Sequence, residues 1–121
     1  PLVKQHGALL AKGRLLGVQF CELMRDGLYE RIGKHAVTEA IRLRKAFAAA
    51  GYEPYVASPT NQQFFRLPNA LIDALREEAS FDYWGPRGES HSVVRFVTSW
   101  ATRSEDMSKF IEAFHRIAAN I

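Results

Sequence analysis

The residue best placed to do chemistry is an arginine inside the most apolar stretch of the sequence. Arg95 lies within residues 93–97, where valine and phenylalanine flank it on both sides in a segment typical of a β-strand. An unpaired guanidinium is too costly to bury, so Arg95 must reach an acidic residue, a ligand carboxylate or solvent. Two interpretations stay open on the residues alone. Arg95 faces solvent on a half-covered sheet, or it binds a carboxylate through two parallel hydrogen bonds.

Other residue types that carry out catalysis are too scattered to indicate a site. No two histidines are spaced i, i+4 and none lies beside a cysteine, which argues against a metal site. The single cysteine, Cys21, is predicted to be a buried and unreactive thiol because it lies mid-helix among apolar residues. No nucleophile elbow, phosphate-binding loop or dinucleotide-binding glycine motif occurs. The residues alone therefore indicate no catalytic group and no metal ligand.

Two helices are predicted at the start of the chain. Residues 2–25 lack proline and place apolar side chains on more than one face, as in a helix that is buried or shared with a partner. Between residues 28 and 47 the apolar side chains recur every three or four positions, which predicts an amphipathic helix. Asp26 is expected to be its N-cap, and Gly51 its left-handed C-cap.

The rest of the chain predicts a small, mostly antiparallel sheet with helices on one face. One helix is predicted from Pro68 to Ala79, and a last one after a capping box formed by Thr102 and Glu105. Strands are predicted at residues 52–58, 62–67, 81–84 and 92–100. The expected architecture is thus an α+β domain over residues 1–121, with two N-terminal helices followed by β-β-α-β-β-α.

Length, composition and charge limit the class of protein. The 121 residues are 47% hydrophobic and 24% charged, as in a globular domain with a core. A net charge of +3 is too small for a polycationic nucleic-acid binder, and no apolar run is long enough to span a membrane. One cysteine and no signal peptide fit a cytoplasmic protein. Because the chain begins at Pro1 without a methionine, we expect a piece of a longer protein.

Three segments resemble one enzyme family, the pyridoxal-phosphate (PLP) threonine aldolases. The segment 91–102, HSVVRFVTSWAT, followed by Glu105 and Asp106, resembles a stretch near the family's C-terminus, closest to the phenylserine aldolases and β-eliminating lyases. Residues 10–17, LAKGRLLG, resemble the helix that begins its C-terminal region, and residues 58–64, SPTNQQF, its turn and strand. The resemblance extends over nearly all of the chain in the same order.

The resemblance implies a fold-type-I enzyme that cleaves β-hydroxy-α-amino acids to glycine and an aldehyde. Arg95 occupies the place of the family arginine that binds the substrate carboxylate. Basic residues around the first helix of the family approach the cofactor across a dimer interface, so Lys4, Lys12 and Arg14 become candidates for that role. For these three residues a solvated position on the helix is an equally good interpretation.

The resemblance also implies that the cofactor site lies elsewhere. The family's Schiff-base lysine, the aspartate at the pyridine nitrogen and the phosphate-binding loop belong to a large domain N-terminal to this region. None of the five lysines here matches the Schiff-base motif. We therefore expect a C-terminal domain that carries no catalytic residue, binds no PLP covalently and is inactive alone. Its expected partners are the PLP-binding domain, a small amino-acid substrate and further copies in a homo-oligomer.

A function from another class remains open on the residues. A small, mildly basic α/β domain could bind RNA or an acidic protein partner as a stand-alone module. Such a surface would place aromatic side chains on an open sheet face, and Phe81, Tyr83 and Trp84 are the candidates. Packing of these three rings in the core is the preferred interpretation.

Overall fold

A computed structural model describes residues 2–121, which form an α+β arrangement of five α-helices and a three-stranded antiparallel sheet. The helices are α1 (Leu2–Gln5), α2 (Gly13–Leu23), α3 (Leu28–Ala49), α4 (Asn69–Leu75) and α5 (Ser104–Ala118). The strands are β1 (Gln62–Pro68), β2 (Asp82–Tyr83) and β3 (His91–Val97). The chain divides into two compact units, one ending at Ile32 and one beginning at Gly33. Within the described residues, no helix is both long and apolar enough to cross a membrane.

The first unit does not contain the single long helix that the sequence predicts. Gly7 and Lys12 adopt left-handed backbone conformations, with φ of 70° and 58°, and these interrupt the helix between α1 and α2. Asp26 is also left-handed (φ 49°, ψ 32°) in a 3-10 turn before α3, whereas a residue that caps a helix N-terminus is usually extended. The predictions of an unbroken helix over residues 2–25 and of Asp26 as an N-cap are therefore wrong.

No side chain of α1 or α2 is buried in the described structure. Cys21 is exposed, which contradicts the prediction of a buried thiol. The neighbouring apolar side chains that suggested its burial, Phe20 and Leu16, are themselves 61% and 47% exposed. The sequence pattern is that of a buried helix, but no residue of α2 is buried in the described structure.

The second unit is built on the sheet, whose strand order is β1-β3-β2. Both neighbours of β3 are antiparallel to it, and Arg95 pairs across the strands with Phe64 on one side and Asp82 on the other. Side chains alternate between the two faces of each strand. The buried face carries Gln63, Phe65, Leu67, Ser92, Val94 and Phe96.

Helices cover that buried face, as predicted. Phe47 of α3 is completely buried and stacks on Phe114 of α5 at 4.0 Å between ring centroids, and it contacts Phe65 at 4.6 Å. Leu71, Ile72 and Leu75 from α4 complete this core, with Phe81 and Met107 at its margin. Each fully buried side chain of this kind stabilises the fold by about 1.5–3 kcal/mol through removal of apolar surface from water.

The helix over residues 28–47 is confirmed, and so is its end at Gly51. Gly51 has a φ of 87°, and the N–H of Tyr52 donates to the carbonyl oxygen of Phe47 at 2.9 Å. The N–H of Gly51 also donates to the carbonyl oxygen of Ala48 at 3.0 Å, so the two bonds form a Schellman C-cap. This cap brings the chain back towards the sheet directly after α3.

Three predicted strands are shorter in the structure, and the one expected over residues 81–84 is reduced to Asp82–Tyr83. The strand expected over residues 52–58 is reduced to one bridge between Pro54 and Phe65, because a proline has no N–H to continue a ladder. The last strand ends at Val97, not at Trp100, which is 70% exposed. The chain turns at Thr98, whose side chain donates to the carbonyl oxygen of Ala36 at 2.7 Å.

The predicted capping box before α5 is wrong. The Oγ1 of Thr102 accepts a hydrogen bond from the N–H of Ser99 at 2.9 Å and so stabilises the preceding turn. Helix α5 begins at Ser104 with Arg103 as its N-cap and with no side-chain capping bond. The acidic residues Glu105 and Asp106 in the first turn still favour this end of the helix through its dipole.

Candidate functional site

Arg95 lies on the sheet face opposite the one that packs into the core. Strand β3 is the central strand, and the alternation of its side chains buries Val94 and Phe96 while Arg95 faces the opposite side. The same alternation explains how a cation fits into so apolar a segment. Of the two interpretations of Arg95, the solvated sheet face is where the structure places it, and this position leaves carboxylate binding open.

The guanidinium of Arg95 is held by residues from the strands on either side. Its Nη2 donates to Oδ2 of Asp82 in β2 at 2.7 Å, and its Nη1 donates to Oε1 of Gln62 in β1 at 3.4 Å. The third nitrogen, Nε, is buried and has no hydrogen-bond partner among the described residues. The cation therefore has one strong hydrogen bond, one weak one and one nitrogen without a partner among the described residues.

One aromatic ring, that of Trp84, covers this guanidinium. The Cζ of Arg95 lies 5.3 Å from the ring centroid of Trp84, a distance at which a cation is attracted to the face of an indole. The Trp84 ring in turn meets Phe64 edge to face at 5.1 Å. The backbone N–H of Trp84 donates to the carbonyl oxygen of Val93 at 2.8 Å, which holds this residue next to β3.

These contacts leave Arg95 able to bind an anion. The side chain of Arg95 is 28% exposed and that of Asp82 is 64% exposed, so their ion pair is largely solvated and contributes little to stability. A guanidinium presents parallel N–H groups that match the two oxygens of a carboxylate. The arrangement fits reversible binding of a carboxylate in a shallow, partly aromatic site.

The loop that carries Trp84 is fastened to α4 by a second arginine. Arg87 donates from Nη1 and Nη2 to the two carboxylate oxygens of Asp73 at 2.9 and 2.7 Å, and from Nη1 to the hydroxyl of Tyr83 at 2.9 Å. The hydrogen bond from Arg87 holds the pKa of Asp73 below its ordinary value. The same bond raises the pKa of Arg87. Arg87 therefore fastens this loop to α4 through both carboxylate oxygens of Asp73.

A polar cluster holds the other end of the loop. The side-chain amide of Asn69 donates to the carbonyl oxygens of Gly88 and Glu89 at 2.9 and 3.1 Å. Its oxygen accepts from the hydroxyl of Ser92 at 2.7 Å, and that hydroxyl accepts from the N–H of Gly88 at 3.1 Å. A Cβ at Gly88 would meet the backbone carbonyl oxygen of His91. The loop between β2 and β3 thus has one tightly specified backbone path.

The other basic candidates lie in the first unit. Lys4 is in α1, Lys12 is the left-handed residue before α2, and Arg14 is in the first turn of α2. All three are exposed, whereas Arg95 belongs to the second unit. Each unit therefore contributes its own candidates, and the contacts of Arg95 are made within the second unit alone.

The lysines of the described residues lack the surroundings that activate an imine-forming amine. An imine-forming lysine is activated by desolvation or by a neighbouring cation. The five lysines, in contrast, all lie at the surface or close to it: Lys4, Lys12, Lys34, Lys45 and Lys109. Within residues 2–121 there is also no cluster of three metal-ligating side chains.

A groove of about 170 Å³ lies at the C-terminal end of β3, and its chemistry does not suit a phosphate or a carboxylate. No cationic side chain lines it, and Asp106 contributes the one charge. The remaining lining is apolar or hydroxylic: Leu43, Ala79, Ser80, Phe96, Val97, Thr98, Thr102, Met107 and Phe110.

Sequence reasoning missed the partners of Arg95, namely Asp82, Gln62 and Trp84. One signal was present, because Asp82 and Trp84 are two residues apart and so share one face of an extended segment. Nothing local indicated that this face is the one that carries Arg95. That information lies in the register between β2 and β3.

The chain is similar to a solved threonine aldolase of Leishmania major. The two are 36% identical with a TM-score of 0.86, over 97% of this chain and 34% of that one. A second solved structure, the 8-amino-7-oxononanoate synthase of Francisella tularensis, shares the fold at 13% identity with a TM-score of 0.60, over 88% of this chain and 31% of that one. The chain thus spans about a third of the length of either protein. No protein-family model and no curated protein matches it.

Proposed function

Because the chain corresponds in sequence and fold to the C-terminal domain of fold-type-I threonine aldolases, we propose that it is this domain of a PLP-dependent lyase. The lyase would cleave β-hydroxy-α-amino acids, of the threonine or phenylserine type, to glycine and an aldehyde. Residues 1–121 would act as one domain of the longer protein. The remaining two-thirds of such an enzyme would supply an N-terminal PLP-binding domain as the partner.

The proposed role of this chain is to bind the substrate carboxylate through Arg95. The single observation that carries the proposal is the guanidinium on the sheet face opposite the buried core, whose Nη2 donates one strong hydrogen bond to an exposed aspartate and whose Nη1 donates only a weak one. A bidentate carboxylate would match the paired N–H groups of this side chain. Holding that group at a fixed point orients the rest of a small amino acid for reaction.

The cofactor and the residues of this chain would have different roles in the reaction. When bound in the neighbouring domain, PLP would supply the electron sink that allows the bond between Cα and Cβ of the substrate to break. The residues of this chain supply orientation and shielding. Arg95 holds the carboxylate, and Trp84 and Phe64 exclude water from one side of the guanidinium. No group of this chain is assigned a proton transfer.

The first unit is proposed to form part of a subunit interface. Its apolar side chains at Leu15, Leu16, Val18 and Phe20 are about half exposed or more, which favours contact with another protein surface. In a homo-oligomer, Lys4, Lys12 and Arg14 would then approach the cofactor region of a neighbouring subunit. The cytoplasmic location expected from the sequence stays a prediction.

We expect the substitution Arg95→Lys to impair the lyase that contains this domain. A lysine at this position would keep the charge but lose the paired N–H groups. Loss of a charge-assisted hydrogen bond of about 1.5–3 kcal/mol lowers kcat/KM about 10- to 100-fold. The measurement is steady-state cleavage of L-threonine and L-phenylserine by the full-length protein.

The matched control is Arg66→Lys, because Arg66 is exposed on the same sheet face but pairs across the strands with Val93. It should leave kcat/KM within about twofold of the unaltered enzyme. Equal losses from the two variants, or no loss from Arg95→Lys, would contradict the role proposed for Arg95.

RNA binding has one observation in its favour. Trp84 and Phe64 lie on the open sheet face beside Arg95, which is the arrangement of aromatic rings used to stack bases. Phe81, another candidate from the sequence, is 8% exposed and packs against Phe96 at 4.5 Å. An RNA surface would reveal itself by an affinity that falls steeply with salt. The sequence match over nearly the whole chain favours the lyase domain.

A further inference from the structure

We propose that Asp82 is an internal competitor for the carboxylate that Arg95 binds. In the absence of substrate, the Asp82 side chain occupies the guanidinium and partly neutralises it. An incoming carboxylate displaces Asp82 and takes over its hydrogen bond. This inference rests on the proposed function of Arg95 and adds a device that tunes its affinity.

Only one edge of the Arg95 guanidinium is accessible to a ligand from solvent. A carboxylate can bind an arginine side-on, through Nε and one Nη, or end-on, through both Nη atoms. The Nε atom is buried in this structure, so a ligand from solvent cannot reach the side-on edge. The end-on edge remains, and Asp82 holds its Nη2 at 2.7 Å. Nη2 carries two N–H groups, but a bidentate ligand and Asp82 would bring two negative charges to this one nitrogen, and their repulsion makes them compete for it.

The contact between Arg95 and Asp82 is easily displaced. Asp82 is 64% exposed and belongs to a strand of only two residues at the edge of the sheet. It contacts Arg95 through a single hydrogen bond, and ion pairs of this exposure contribute about 0.2–1 kcal/mol. A small rotation of the aspartate into solvent frees the guanidinium without breaking other contacts of the chain.

The orientation of the Arg95 guanidinium does not depend on Asp82. Trp84 packs at 5.3 Å from Cζ, and Gln62 approaches Nη1 from the opposite strand. The strand register fixes the backbone of Arg95 between two neighbours. Removal of the aspartate charge should thus leave the side chain in place and strengthen its attraction for an anion.

The experiment is a titration of the 121-residue chain with sodium acetate, with the side-chain N–H signals of Arg95 followed by NMR. Sodium chloride keeps the total ionic strength constant, so that screening does not change along the titration. The variant Asp82→Asn keeps the shape of the side chain and removes its charge. We expect its dissociation constant for acetate to be about two- to fivefold lower than that of the unaltered chain.

Glu78→Gln is the matched control. Glu78 also lies 2.8 Å from an arginine Nη2, but its partner is Arg116 of α5, outside the loop that carries Trp84. This variant changes the net charge equally and should leave the acetate affinity of Arg95 unchanged. Amide spectra of both variants report whether the fold is retained.

Each outcome has a distinct meaning. Tighter acetate binding in Asp82→Asn alone supports the competition. Binding at Arg95 that is unchanged or weaker in Asp82→Asn overturns it, while the role of Arg95 stands; weaker binding would make Asp82 a positioning residue. Equal tightening by Glu78→Gln also overturns it, because net charge would then be the cause. No response of Arg95 to acetate in any variant overturns the proposed function as well.

Discussion

At the scale of single residues, the two arginine–aspartate pairs of the second unit differ in how completely they use the guanidinium. Arg87 binds both oxygens of Asp73 and the hydroxyl of Tyr83, so most of its donors on that side are satisfied. Arg95 binds one oxygen of Asp82, and its Nη1 has only a weak hydrogen bond to Gln62. The same pair of residue types thus fastens a loop in one place and leaves a binding capacity in the other.

The Asp73–Arg87 pair predicts a pH dependence of stability. The pKa of Asp73 is lowered in the folded protein, so its contribution is fully present above the ordinary value of 3.8. It is lost as the pH falls through the folded-state pKa. We therefore expect the chain to be more stable than Asp73→Asn at pH 7, and the difference to shrink as the solution is acidified below about pH 4.

Urea unfolding of both proteins at pH 7 and pH 3 measures this difference. Glu89→Gln is the control, because Glu89 is an exposed carboxylate of the same loop whose side chain forms no ion pair within residues 2–121. A gap between Asp73→Asn and the unaltered chain that is the same at both pH values would argue against the pairing.

At the scale of elements, the loop between β2 and β3 is the part that positions Trp84, and its backbone is specified by Gly88. Because a Cβ at this position would meet the carbonyl oxygen of His91, a backbone atom that cannot rotate away, Gly88→Ala should destabilise the fold by about 1–3 kcal/mol. The measurement is the free energy of unfolding in urea.

Gly33→Ala is the matched control for this prediction. Gly33 lies inside α3, and a Cβ there meets no atom within 4 Å. Because alanine favours helix over glycine, this variant should be stabilised by about 1 kcal/mol. Similar effects of the two substitutions would show that the carbonyl of His91 is not the obstacle.

The elements that the sequence predicts well are those whose pattern is local. In helix α3 and strand β3, apolar side chains recur at a regular spacing and pack into the core, and both elements are found in the structure. The break at Lys12 and the loss of the strand at Pro54 depend on backbone conformation and on ladder pairing, which periodicity does not record. The candidate site also combines a residue that local sequence indicates with one that it does not. Arg95 was visible as a charge in an apolar strand, but Asp82 becomes its partner only through strand register.

At the scale of the whole molecule, exposed apolar side chains are concentrated in the first unit. They include Leu2, Val3, Leu9, Leu10, Leu15, Leu16, Val18, Phe20, Met24 and Tyr29. The buried core, in contrast, lies entirely in the second unit. Scattered apolar residues are normal on a protein surface, but a concentration of this kind marks a surface that associates.

We therefore expect the 121-residue chain to self-associate as its concentration rises. Light scattering should give a mass above that of the 13.7 kDa monomer, and Phe20→Glu should shift the mass towards the monomer. The control is Trp100→Glu, which removes a similarly exposed aromatic ring from the second unit and should not change the association. A monomer at every concentration would contradict an interface in the first unit.

The alternation along β3 has a consequence for how this domain can change over evolution. Arg95 lies between Val94 and Phe96, so the ligand-facing and core-facing side chains are interleaved on one strand. A single inserted or deleted residue before position 94 would exchange the two sets, burying the guanidinium and exposing the phenylalanine. Substitutions can alter the site or the core one position at a time, but a change of length in β3 would destroy both together. The strand is therefore expected to keep a constant length wherever the arginine is kept.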